Sequence, residues 1–218
     1  MQKIASYIDH TLLKEDAKEE DIKKLCDEAI KYGFKGICIF SKHLLYALSI
    51  LKNKNVLLVT VIDFPKGKLT PSEKAMETKK AIEMGADEID MVIDTDALKK
   101  KDYQQVFDGI RAVVKEAKDK CVKVIIETCL LEADEKIIAC ALAKAAGAKY
   151  VKTSTGFSSG GATYEDVCLM KKIVGEDMKV KASGGIKTYD IAYNMIQKGA
   201  SRLGTSSSVK IVEEEKLR

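Results

Sequence analysis

Apolar positions along this chain follow two alternating rhythms. In residues 19–32, Ile22, Leu25, Cys26, Ala29 and Ile30 recur at three- and four-residue spacing with charges opposite, the mark of a helix with one apolar face. Residues 102–118 repeat it with Val106, Ile110, Val113, Val114 and Ala117. Pro71 suits the first turn of a helix running to Met84. Thr163 and Asp166 have capping-box spacing ahead of Val167–Val174, and Thr188 caps a helix ending at Lys198. Between these lie short apolar runs at 35–40, 56–62, 87–93, 122–128, 149–154, 178–182 and 201–205, with Tyr7–His10 as an eighth.

Runs such as Val56-Leu57-Leu58-Val59-Thr60-Val61-Ile62 are continuously apolar rather than alternating, as expected of parallel strands covered by helices. Gly33, Gly85, Gly147 and Gly199 each close a helical segment and open a strand-like one, where the left-handed conformation ends a helix without a Cβ clash. Eight strands alternating with helices predict an α/β fold, a (β/α)8 TIM barrel with a short N-terminal segment before it. The 218 residues fit one such domain, 1–218. An open doubly wound sheet is the rival, and the missing GxGxxG after the first strand counts against it.

Composition narrows the function classes. Hydrophobic residues are 46% and charged residues 32%, and the net charge of +4 is spread without a basic block. Nucleic acid is therefore a poor partner and small anions, phosphates above all, a better one. No apolar run is long enough to span a bilayer, and Met1–Asp9 lacks the apolar stretch of a secretory signal. The six cysteines form no CxxC pair and sit mostly in apolar patterns, which suits free thiols in a reducing cytoplasm. His10 and His43 have no partner at metal-ligand spacing, so no metal is expected. His10 reads as a hydrogen-bonding strand-end residue and Glu127 as a barrel carboxylate paired with a lysine. The tail Glu213–Arg218 reads as a solvated helix end.

The candidate chemistry rests on two lysines. Lys152 and Lys181 stand in apolar runs, Tyr150-Val151-Lys152-Thr153-Ser154 and Lys179-Val180-Lys181-Ala182-Ser183, where an ammonium is costly to desolvate unless paired, neutralised or reactive. They end the sixth and seventh predicted strands, so a barrel makes them neighbours. Two ammonium groups about 5 Å apart at an effective dielectric near 20 repel by roughly 3 kcal/mol, about two pK units. That would bring one lysine toward a pKa of about 7–8 and make it a nucleophile. Asp90, in Glu88-Ile89-Asp90-Met91-Val92-Ile93, is either their counter-ion, a proton shuttle, or both. Ser183-Gly184-Gly185 and Gly204-Thr205-Ser206-Ser207 follow the last two strands, where barrels commonly cradle phosphate. Another Schiff-base aldolase or a non-catalytic phosphate-binding barrel remains open at this level.

Longer motifs resemble one family. Asp9-His10-Thr11-Leu12-Leu13-Lys14, Gly85–Ile93, Lys123–Thr128, Val151–Phe157 and Lys181–Ile186 are similar, in a single order along nearly the whole chain, to the deoxyribose-phosphate aldolases. That resemblance implies cleavage of 2-deoxy-D-ribose 5-phosphate to D-glyceraldehyde 3-phosphate and acetaldehyde, without a cofactor, in deoxyribonucleoside catabolism. Lys152 would form the Schiff base, Lys181 would perturb it and Asp90 would move protons. Cys38 would line the substrate pocket. Thr153, Gly156, Ser183, Gly184, Gly185, Lys187, Gly204, Ser206 and Ser207 would bind substrate and its phosphate. A homodimer is implied in the same way. Asp63 stands where the family more often has glycine, Asp94 and Asp96 replace a commoner Asn and Gly, Ser41 replaces proline and Lys187 replaces arginine.

Overall fold

In the computed structural model, which describes residues 3–218, eight parallel strands close into a barrel in chain order. They are β1 (Ile8–Leu12), β2 (Gly36–Ile39), β3 (Leu57–Ile62), β4 (Glu88–Val92), β5 (Cys121–Ile125), β6 (Tyr150–Lys152), β7 (Lys179–Ser183) and β8 (Ala200–Thr205). The helices are α1 (Glu19–Tyr32), α2 (Leu44–Leu51), α3 (Pro71–Glu83), α4 (Thr95–Lys99), α5 (Tyr103–Ala117), α6 (Ala133–Ala145), α7 (Tyr164–Val174), α8 (Tyr189–Gln197) and α9 (Ser208–Lys216). One short turn of helix, Ile4–Tyr7, precedes β1. The barrel expected from the hydrophobic pattern is therefore the one observed.

Local signals act as expected. Thr70 caps α3 with Glu73 in a reciprocal box, and Thr163 accepts from the Asp166 N–H at 3.0 Å. Gly33, Gly85, Gly147 and Gly199 all have positive φ. The tail differs from expectation. Glu213 accepts from the Tyr32 hydroxyl, Glu214 from the Tyr189 N–H and Glu215 from the Ile4 N–H. These carboxylates fasten α9 across the barrel's opening and closing segments instead of merely facing water.

Strand side chains divide by alternation. Ile89 and Met91 of β4, Val122 and Val124 of β5, and Val151 of β6 join the layer between strands and helices. Their alternates point into the barrel. There Leu13, Cys38, Val59 and Val61 form a separate apolar cluster with Phe40 and Phe64, while β4 to β8 and β1 contribute charges. Two glycines make room for those charges. A Cβ at Gly204 would lie 3.1 Å from Lys181 Cε, and one at Gly36 would lie 3.2 Å from Asp9 Oδ1 and 2.8 Å from the Leu57 carbonyl oxygen.

Candidate active site

Lys152 and Lys181 are direct cross-strand partners, as are Asp90 and Lys123. The barrel's register therefore sets the two charged side chains of each pair against one another. Lys152 ends β6, but Lys181 and Asp90 lie in the middle of their strands. The expectation that both lysines end their strands is corrected for Lys181, because β7 continues to Ser183.

The buried charges form a closed ring. Arg202 meets Glu88 at 2.8 Å, Glu88 meets Lys123 at 2.7 Å, and Lys123 meets Asp90 at 2.7 Å. Asp90 meets Lys181 at 2.7 Å, Lys181 meets Asp9 at 2.5 Å, and Asp9 returns to Arg202 at 2.8 Å. Three cations alternate with three carboxylates, and Lys152 is a seventh group attached from outside the ring. It donates to Asp90 Oδ2 at 2.8 Å, the same oxygen that Lys181 already occupies. The ring without Lys152 is neutral. Lys152 adds one positive charge to a ring whose carboxylates are already balanced by its own cations.

The same geometry fixes the other charges. Burial alone would push the Asp90 carboxyl up, but Lys123, Lys152 and Lys181 outweigh it and hold it well below the usual carboxylate range. Asp9, against the same pull of burial, is lowered by Lys181, Lys123 and Arg202. Burial opposes the charge on Lys181, yet Asp9 and Asp90 raise it above the ordinary lysine value. Lys123 is raised against burial by Asp90, Asp9 and Glu88. Lys181 is thus held in its charged form by the two carboxylates.

Sequence reasoning singled out three of these seven groups. It missed Arg202, and named Asp9, Glu88 and Lys123 without assigning them a role. The signal for Lys123 was present, since Val122-Lys123-Val124-Ile125 is another lysine within an apolar strand.

Above the ring, a cavity of about 300 Å³ opens at the C-terminal end of the strands. It is lined by Lys152, Gly156, Ser183, Gly184, Gly185, Lys187, Gly204, Ser206 and Ser207, with Thr11 to Lys14 along one side. Gly184 and Gly185 have φ of 84° and 79°, a conformation that turns successive backbone N–H groups toward one side. Thr205 ties the two glycine loops together, its hydroxyl donating to the Ile186 carbonyl at 2.6 Å and accepting from the Ser207 N–H at 2.9 Å. Lys152 is 3% exposed and reaches the cavity floor.

Three expectations meet a different geometry. Thr153 is fully buried outside the cavity lining, and its hydroxyl staples β6 to β7 through the Ser183 carbonyl and N–H, each at 3.0 Å. Cys38 is likewise outside the lining, in the apolar cluster, and burial pushes its thiol up to about 11. Glu127 has no lysine partner among the described residues. At φ 54° it turns toward the β6 loop and accepts from the Thr155 N–H at 3.2 Å and from the Thr155 hydroxyl. His10, in β1, does form the expected hydrogen bond, its Nε2 2.8 Å from Glu28 Oε2 of α1.

The departures from the family pattern also find reasons. Asp63 has φ 50°, the region glycine adopts freely, and its carboxylate compensates by accepting from the Lys68 and Leu69 N–H groups and pairing with Lys74 at 2.6 Å. Asp94 caps α4, and with Asp96 it pairs with Lys68.

Residues 3–207 match the model of the DeoC/LacD family aldolases. The chain belongs to that family. It is 57% identical over 217 residues to the deoxyribose-phosphate aldolase of Thermococcus kodakarensis, covering 97% of this chain and 96% of that one. Among solved structures, the aldolase QR15 superposes with a TM-score of 0.95 at 36% identity, covering 100% of this chain and 98% of that one. The tetrameric deoxyribose phosphate aldolase of Aeropyrum pernix gives 0.91 at 34% identity, over 98% of this chain and 91% of that one. Among the described residues, no helix is long and apolar enough to cross a membrane.

Proposed function

We propose that this family member is a deoxyribose-phosphate aldolase working through a Schiff base on Lys152. The supporting observation is the attachment of Lys152 to a ring of charges already neutral without it. Neutral Lys152 adds to C1 of the open-chain sugar phosphate, and loss of water gives an iminium. The iminium withdraws the electron pair of the C2–C3 bond as that bond breaks. The C3 hydroxyl gives up its proton and D-glyceraldehyde 3-phosphate leaves, while the electron pair forms an enamine at C2. Protonation of C2 restores an iminium, and water releases acetaldehyde and the free amine.

Asp90 serves this sequence as a relay. The ammonium groups of Lys123 and Lys181 favour its ionised form, so a proton rests on it only in passing between the C3 hydroxyl, bound water and C2. Lys181 keeps its charge and holds Asp90 Oδ2 in place. The two glycine loops, Ser206, Ser207 and Lys187 take the phosphate at the far side of the same cavity, backbone amides supplying direction and Lys187 charge. The reaction belongs to deoxyribonucleoside breakdown in the cytoplasm, and the assembly is a homodimer, which light scattering on a sizing column tests.

Incubation with acetaldehyde, borohydride reduction and peptide mapping tests the nucleophile. An N-ethyl group on Lys152 is the expected outcome; an unlabelled protein or a label on another lysine refutes the assignment. Product analysis tests the substrate: acetaldehyde must form from 2-deoxyribose 5-phosphate. Cleavage instead of a sugar that yields dihydroxyacetone phosphate would overturn the reading.

A further inference from the structure

The opposite end of the barrel holds a second cavity, of about 450 Å³, larger than the one at the mouth. It lies among the starts of the strands. Lys35 immediately precedes β2, Lys149 precedes β6 and Lys179 opens β7, all three exposed, while the buried Arg202–Glu88 pair lies at the cavity's inner wall.

Three cationic side chains rim this cavity. Among the described residues, Lys35, Lys149 and Lys179 have no carboxylate oxygen within the 4.0 Å that defines an ion pair. The two acids that line the cavity are already engaged. Glu88 is held by Lys123 and Arg202, and Asp177 is paired with Lys144 at 3.1 Å. Arg202 and Lys179 also lie over the face of Tyr150, which fixes the wall between them. Three like charges around one concavity give it a positive potential, which favours an anion there.

We propose that this cavity is an anion site for a small molecule carrying two or more phosphate groups. One phosphate ester brings about two negative charges, short of the rim's three lysines, whereas two phosphate groups match them. The volume falls within the range of small-molecule sites, roughly 300–1,000 Å³. The site is separate from the mouth cradle, since the charged ring lies between the two cavities and they share no lining residue.

Calorimetric titration with inorganic pyrophosphate tests this on the whole chain. The wild type should bind two ions per chain, one at each end. Ser207→Glu, which puts a carboxylate into the mouth, should remove one and leave the other. Lys35→Gln/Lys149→Gln/Lys179→Gln should weaken the remaining one at least tenfold. A control, Lys54→Gln/Lys100→Gln/Lys115→Gln, removes the same charge elsewhere and should leave both. Should the triple variant fold poorly, Lys149→Gln and Lys179→Gln taken singly should each weaken the same site severalfold. The proposal is overturned if Ser207→Glu abolishes all binding, if the rim variants leave both sites intact, or if the control weakens binding as much as they do.

Discussion

The barrel interior has two sectors that share a backbone and differ in everything else. On the β2–β3 side, Cys38, Val59 and Val61 pack with Leu13, Phe40 and Phe64. From β4 round to β1, seven charged side chains fill the same kind of position. The apolar sector gives those charges no water or dipoles to turn to, so each must be satisfied by another. That requirement closes the ring and leaves Lys152 as the odd group. A buried ion network is a weak source of stability, and in the proposed reaction its worth lies in holding Lys152 against Asp90.

The sharpest way to break the contrast is to make part of the charged sector apolar. Lys181→Leu should lower turnover by a factor of about 10²–10⁴ and raise the pH needed for the borohydride-trapped adduct on Lys152, since the fixed charge beside it is gone. Unchanged adduct formation across pH would refute the role of Lys181. Lys123→Met should cost about 3–5 kcal/mol in denaturant unfolding, because Glu88 and Asp90 lose a buried partner. Adding Glu88→Gln should recover part of that loss; a purely additive double variant would mean that the two do not act as a pair.

The pH dependence follows from the same sector. Asp9 and Asp90 have native values below the ordinary carboxylate value of 3.8. The stability they contribute is present above that value and is lost as pH falls through the lower native ones. Lys123 and Lys181 are raised above 10.5, so their contribution is present below 10.5 and lost as pH rises through the native values. Melting temperature should therefore stay level near neutrality and fall at both extremes, with Lys123→Met flattening the alkaline fall. The smallest effect belongs to the apolar sector. Cys38→Val should change stability by less than about 1.5 kcal/mol and leave turnover within twofold. It should also reduce the loss of stability that begins above pH 9.0, where an unfolded Cys38 ionises while the buried thiol waits until about 11.

Several features were legible before any coordinates. The period of the apolar positions, the four helix-ending glycines and the glycine loops after the last two strands define the barrel and locate its phosphate end, because they reflect local backbone preferences. Lys152, Lys181 and Asp90 stand out because a charge in an apolar run is costly wherever the chain puts it. The partners of those charges were not legible. Lys123 has the same signature, but its pairing with Asp90 and Glu88 depends on strand register. Thr153 and Cys38 lie outside the cavity lining, which strand packing decides, and Glu127 turns toward Thr155 through a positive φ that nothing in its neighbours announces.

By itself, then, the chain specified strands, helices, their order and the residues too costly to bury idly. Closure of the barrel decided the rest. Only when β1 meets β8 does Asp9 come within reach of Lys181 and Arg202, 172 and 193 residues away, and only then is the sum of buried charges defined. Electrostatic energy depends on distances between groups remote in sequence, so no local pattern could reveal which amine the fold would leave without a carboxylate of its own.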